Sequence, residues 1–191
     1  MKYPINTAML TEARMYARES IENTADYEGW KDQHRKMERI VSGTFVQLWL
    51  CEYCRLNDIP HKADRSSPYV ADSWDLKIAG FNIDCKSSYI DGLEGQITKH
   101  HDDKNNIINA YCFFRTDRTL SYVEPLGVIS KRKVHDNSLI VKEGDIIPGT
   151  KFTQRFGYSY FVNIASLTNL DDALDYFVRN SRITDGKQNA N

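Results

Sequence analysis

The chain has 191 residues, 41% hydrophobic and 27% charged, which is the composition of one folded domain, or one domain with an appendage, and excludes a disordered protein. A net charge of −1 removes any global attraction to polyanions, so a nucleic-acid surface has to be local. No apolar run approaches the roughly 20 residues of a membrane span, and Met1-Lys2-Tyr3-Pro4 lacks the apolar core of a signal peptide; the expectation is a cytoplasmic protein with no membrane association.

Residues 7–23 read as a helix, with Leu10, Ala13, Ala17 and Ile21 at helical spacing. Residues 30–57 read as a longer one, with a stripe of Val41, Phe45, Leu48, Trp49 and Leu56. Gly43 in its interior costs about 1 kcal/mol relative to Ala and points to a close backbone approach or a bend. Cys51 and Cys54 lie in this helix without a second pair, so with Cys85 and Cys112 they are expected to be reduced thiols rather than a zinc site. Two basic patches stand out: Lys31, His34, Arg35, Lys36 and Arg39, and Lys131, Arg132 and Lys133. Each is either a local polyanion contact or ordinary surface charge, a solvated helix face in the first case and a charged loop in the second.

Strands are expected over 59–63, 69–79, 81–88, 109–115, 122–129 and 158–164. Pro125 places the fifth of these at an edge or a bulge. Residues 91–106 form a weak helix, marked only by Leu93, Ile97 and, just beyond it, Ile108. Thr168, followed by Asp171, caps a last helix with the stripe Leu170, Ala173, Leu174 and Phe177. The fold class is α+β, or α/β with a mixed sheet: one domain over 1–181, its core about 30–116, and a disordered polar tail over 182–191.

The chemistry concentrates in residues 73–88, SWDLKIAGFNIDCKSS. If Ala79-Gly80 is a two-residue hairpin loop, 78 pairs with 81, 77 with 82, 76 with 83 and 75 with 84. Opposed residues share a face with Cβ atoms about 5 Å apart, so Asp75 and Asp84 converge and Lys86 joins them. Trp74, Leu76, Ile78, Ile83 and Cys85 form the other, core-like face. Two carboxylates this close repel unless a divalent cation offsets them. The Lys86 ammonium can stabilise phosphate charge or help deprotonate a water, so the set suits phosphodiester hydrolysis. Ala-Gly is not the favoured pair for a type I′ turn, and a bulge would shift the register by one.

This segment resembles the PD-(D/E)xK nuclease superfamily, whose pattern is an acidic residue, a short hairpin, then Asp/Glu-x-Lys; here it reads Asp75, then Asp84-Cys85-Lys86. The resemblance spans roughly 43–115 and implies a restriction-endonuclease-like core, a central mixed β-sheet flanked by helices. Family members often carry a Glu four residues after a Gly on the preceding helix; Gly43-Thr44-Phe45-Val46-Gln47 keeps the spacing with Gln at the acidic position, and Glu38 or Glu52 could substitute. That departure puts a second metal ion in doubt. Trp74 stands where the family has Pro, with Pro68 further upstream, and Gln96 is a weak match to a later family Gln.

The resemblance implies a Mg²⁺-dependent nuclease, with Mn²⁺ able to substitute, most often acting on DNA and leaving a 5′-phosphate and a 3′-hydroxyl. Asp75, Asp84 and the backbone carbonyl of Cys85 hold the metal, Lys86 supports the water or phosphate, and Gln47 helps. A homodimer would suit double-strand cutting. An RNA nuclease, or a binding module that keeps the fold but does not cut, remains open. Asp-x-Lys alone is uninformative: Asp102-Asp103-Lys104, after His100-His101, and Asp185-Gly186-Lys187 repeat it in polar stretches.

Overall fold

The computed structural model describes residues 1–4, 6–21, 33–63, 74–89, 94–98, 107–155 and 157–188, with side chains to 181. Helix α1 (Thr7–Ser20) starts where the Asn6 side chain accepts the Ala8 N–H, satisfying one of the amide groups a helix start leaves open. It buries only small residues, Ala13, Ala17 and Ser20, which lets it lie close against α2 (Gln33–Leu56). Helix α2 buries Phe45, Val46, Trp49 and Leu50. Leu56 is 65% exposed and leaves the expected stripe, because the helix ends there and the chain turns through Asp58 at φ 53. Gly43 meets nothing within 4 Å of an added Cβ, so it marks open space rather than a close backbone approach.

The protein is α+β. Its larger sheet is six-stranded and mixed, in the order β1 (Tyr3–Pro4), β7 (Tyr122–Ser130), β6 (Ala110–Thr116), β4 (Phe81–Ser88), β3 (Leu76–Ile78), β2 (His61–Ala63). Strands β4 and β6 are parallel and the other neighbours antiparallel. A second, antiparallel sheet orders β5 (Gln96–Thr98), β9 (Tyr158–Val162), β8 (Ser138–Lys142). Helices α3 (Lys131–Asn137) and α4 (Leu170–Gln188) complete the four helices among the described residues, none long and apolar enough to cross a membrane.

Each face of the larger sheet has its own core. Leu76, Ile78, Ile83, Cys85, Cys112 and Phe114 meet α1, α2 and α4 on one face. Tyr111, Phe113 and Ile129 meet Ile97, Tyr160 and Val162 of the smaller sheet, and Val134 of α3, on the other. Alternation along β6 thus feeds both cores, whereas β4 gives Ile83 and Cys85 to the first core and alternates them with the polar Asn82, Asp84 and Lys86.

Several expectations change. Within 91–106, expected as a helix, residues 96–98 are a strand: Ile97 is fully buried between its two more exposed neighbours and pairs with Tyr160. The rest of that segment, apart from Glu94 and Gly95, and Lys31, Pro68, His100, His101, Asp102, Asp103 and Lys104 lie outside the described residues. Lys131 to Lys133 open helix α3 instead of a loop, and Lys36 is buried rather than part of a solvated face. Asn169, not Thr168, caps the last helix, through Asp171 N–H to Asn169 Oδ1 at 2.9 Å. Thr168 exchanges both backbone bonds with Val128, which commits it to a bridge. Helix α4 continues to Gln188, through the polar segment that sequence reading sets outside the folded domain.

Pro125 does sit at a bulge. Phe113 pairs with Gly127 and Phe114 with Pro125, so Leu126 is the extra residue. Gly127 has φ 137, and a Cβ there would lie 2.6 Å from the Thr168 carbonyl oxygen and 2.8 Å from Leu167 Cβ. Gly127→Ala should therefore cost about 2 kcal/mol and lower the melting temperature by about 4–8 °C in a calorimetric scan. An unchanged melting temperature would show that the bulge and the Thr168 bridge yield freely.

Candidate active site

Strands β3 and β4 pair in the expected register, Ile78 with Phe81, Lys77 with Asn82 and Leu76 with Ile83. The loop takes φ 47 at Ala79 and φ 92 at Gly80, the left-handed pair whose twist matches a hairpin. A non-glycine residue in that region costs about 1 kcal/mol. Ala79 is held there by burial and by its N–H, which donates to the Pro60 carbonyl at 2.8 Å.

The ladder stops at Leu76, so the expected pairing of 75 with 84 does not form. The Asp75 N–H donates to the Ile83 carbonyl at 3.0 Å, and its side chain takes the place of a continuing strand: Oδ2 accepts the Cys85 N–H at 2.5 Å. Oδ1 accepts from Gln47 Nε2 of α2 at 2.8 Å. Backbone N–H groups point in the plane of a sheet, so the Asp75 carboxyl lies at the exposed edge of β4, between α2 on one side and the Asp84 face on the other. The N–H and C=O of one strand residue share an edge, so the Cys85 carbonyl faces the same opening. Trp74, expected on the same core-like face as Leu76, packs instead against the opposite cluster, because the chain leaves strict alternation here.

Asp84 is 7% exposed, and its Oδ2 stands 2.8 Å from Lys86 Nζ, yet no hydrogen bond of adequate geometry reaches that buried oxygen among the described residues. The two carboxyls are near enough for the charge of Asp84 to act on Asp75. Burial, and then the charge of Asp84, push the Asp75 carboxyl well above the ordinary carboxylate range, against the opposing pull of Lys86 and the Cys85 amide. A pair of this kind either keeps a proton or takes a cation. Two carboxylates, one buried oxygen lacking a hydrogen bond and a backbone carbonyl at the same edge fit one hard divalent ion with waters completing its shell. No group of three His, Cys, Asp or Glu side chains converges among the described residues.

The structure brings Asp75, Asp84, Lys86 and Gln47 together and leaves the alternatives apart. Glu52 binds Arg55 through two contacts of 2.6 Å, one helical turn along. Glu38 stands 3.6 Å from His34 and lines a cavity further along α2. Gln96 donates to Ser159 Oγ at 3.2 Å within the smaller sheet. The Cys85 thiol points into the α2 core, where burial raises it well above the ordinary thiol range. None of the four cysteines forms a disulfide. Cys54 is pushed up to about 12, first by burial and then by Cys51. An alkylating reagent at pH 8 should therefore modify half-buried Cys51 first, with Cys54, Cys85 and Cys112 reacting only on unfolding; mass spectrometry of the labelled native protein checks the order.

Two features escape the sequence reading. Arg115 bonds Glu94 at 3.0 Å and Glu124 at 3.3 Å, tying β6 to β7 and to the segment entering β5. The cavity beyond Gln47 gathers Arg14 and Arg18 of α1, four residues apart and so on one helix face, with residues of α2 and of the loops after β4 and β6. The spacing of the two arginines was the signal available in the sequence. No protein-family model, curated protein or solved structure matches this chain.

Proposed function

We propose that the chain is a metal-dependent nuclease with a restriction-endonuclease-like core, hydrolysing phosphodiester bonds in nucleic acid, with DNA the favoured substrate. One observation carries this reading: the Asp75 carboxyl, held by Gln47 and the Cys85 amide at the edge of β4, abuts the buried Asp84 carboxyl with Lys86 alongside.

Asp75, Asp84 and the Cys85 carbonyl would hold Mg²⁺ or Mn²⁺, which supplies charge neutralisation at the phosphate and a more acidic bound water. Lys86 is 17% exposed, so its ammonium works in a poorly hydrated setting, where charge stabilisation on a phosphoryl oxygen is stronger than in bulk water. It exchanges its present partner Asp84 for the substrate when the carboxylates are engaged. Gln47 fixes one Asp75 oxygen as a neutral donor, which keeps that carboxyl oriented without adding a third negative charge. This argues for a single ion.

A second reading, a nucleic-acid-binding module that no longer cuts, rests on that same Gln47 in place of an acid. The deciding experiment incubates the protein with plasmid, linear duplex, single-stranded DNA and RNA, each with Mg²⁺, Mn²⁺ or EDTA. Metal-dependent cleavage leaving 5′-phosphate ends supports the nuclease and identifies the polymer. Binding without cleavage of any substrate overturns it in favour of the module.

A further inference from the structure

We infer that the cavity beside the carboxylates is a subsite for one unpaired nucleotide of a single strand: Arg14 and Arg18 take its phosphate, and Tyr89 with Arg118 takes its base. The inference rests on the nuclease reading for the subsite's place along a substrate, but not for the binding itself.

The cavity measures about 450 Å³, and its walls include Arg14, Arg18, His34, Glu38, Tyr89 and Arg118. It lies on the same track as the carboxylates. Gln47 meets Asp75 beside Cys85, Ser42 Oγ is 3.0 Å from Ser87 Oγ, and Glu38 and His34 share the cavity with Tyr89, so α2 runs antiparallel to β4. From Gln47 back to Ser42 is about 7.5 Å along a helix axis. From Cys85 on to Ser87 is about 6.6 Å along a strand. The two rulers agree, and they put the cavity mouth about two stacked nucleotides from Asp75 and Asp84, at about 3.4 Å each.

Its charges are arranged for an anion. The acids of the cavity are engaged locally: the Asp117 carboxylate accepts from Thr119 Oγ1 and Ser121 Oγ, both at 2.6 Å, and Glu38 stands by His34. Arg14 and Arg18 have no acidic partner among the described residues and are exposed on one face of α1. The Arg118 guanidinium lies 5.6 Å from the centroid of the Tyr89 ring, which gives a flat, partly charged platform. Aromatic faces and arginine planes are what unpaired bases stack on, in a sequence-tolerant way. The space exceeds what a phosphate ion alone would fill and is within the range of small-molecule pockets. A base in a duplex cannot reach such a platform without leaving its stack, so the substrate carries an unpaired end, flap or single strand.

The test is equilibrium binding of deoxyadenosine monophosphate by calorimetry in EDTA, with inorganic phosphate and deoxyadenosine as separate probes. Expected is one saturable site for the nucleotide, at least tenfold weaker for either component probe. The Arg14→Ala, Arg18→Ala double variant should weaken nucleotide binding at least tenfold, and Tyr89→Ala at least fivefold. Asp84→Asn should leave it within twofold. The inference is overturned by absent nucleotide binding, by phosphate binding as tightly as the nucleotide, by insensitivity to the arginine variant, or by loss of binding in Asp84→Asn, which would place the ligand at the carboxylates. Because no metal and no cleavage enter this measurement, a protein that cuts nothing can still pass it, and one that cuts can still fail it.

Discussion

Asp84→Ala should lower cleavage by about 10³-fold or more while leaving metal-free binding to nucleic acid equal or tighter. A carboxylate facing a phosphate backbone repels it unless a cation intervenes, so its removal takes away both the cation's anchor and a repulsive charge. Lys86→Ala should lower cleavage by about 10²–10³-fold and weaken binding only by the salt dependence of about one phosphate contact. The two residues now form a 2.8 Å pair with side chains 9% and 17% exposed, so either truncation strands a poorly hydrated partner and costs stability as well. Asp84→Asn and Lys86→Met, which keep shape, and thermal melting of every variant separate that cost from lost chemistry. If the pair were merely an ion contact between neighbours on one face of β4, all four variants would melt differently yet cut as the parent does. Wild-type cutting by folded Asp84→Asn would remove this cluster as the active site.

The hairpin is the most legible part of the molecule because its information is local. Apolar alternation, a two-residue loop ending in glycine and equal arm lengths leave one register that buries Leu76, Ile78, Ile83 and Cys85 together, and that register is the one found. What happens at Asp75 is not local. The strand leaves the ladder there because α2 brings Gln47 to its carboxyl and the Cys85 N–H donates to a side chain in place of a backbone carbonyl, so Trp74 turns to the opposite core. Short strands with one inward residue, Ile97 in β5 and Val141 in β8, carry too little periodicity to be read. The cavity depends on α1, α2 and two loops converging: the Arg14–Arg18 and His34–Glu38 spacings each belong to one helix, but their meeting does not.

Asp75→Asn should raise the melting temperature of the metal-free protein while removing its response to metal. In the parent, burial and the Asp84 charge hold the Asp75 carboxyl well above the ordinary value of about 3.9. The unfolded chain then loses that proton at lower pH than the folded one, so the folded state binds more protons between the two values. Stability linked to this group is full below about pH 4 and is lost as pH rises through the folded value. Asparagine resembles the protonated acid: its oxygen can still accept from Gln47 or Cys85, and its amide can donate to Asp84. The variant escapes the loss, so its advantage should be absent near pH 4 and grow with pH. By pH 8 it should reach about 1 kcal/mol, or about 2–4 °C, a modest figure because Asp75 is only half-buried. A divalent cation reverses the order. It binds the ionised pair of the parent and stabilises it by mass action, about 2.7 kcal/mol at a hundredfold excess over the dissociation constant, whereas the variant keeps one carboxylate and should gain little. Since proton and metal compete for Asp75, the metal-induced shift of the parent should also shrink as pH falls. Melting curves of both proteins from pH 4 to 8, with Mg²⁺, with Mn²⁺ and with EDTA, read all three effects. A parent that shows no metal shift at pH 8, or an Asp75→Asn protein less stable than the parent there in EDTA, would mean that this carboxyl is a satisfied structural group and not one half of a metal site.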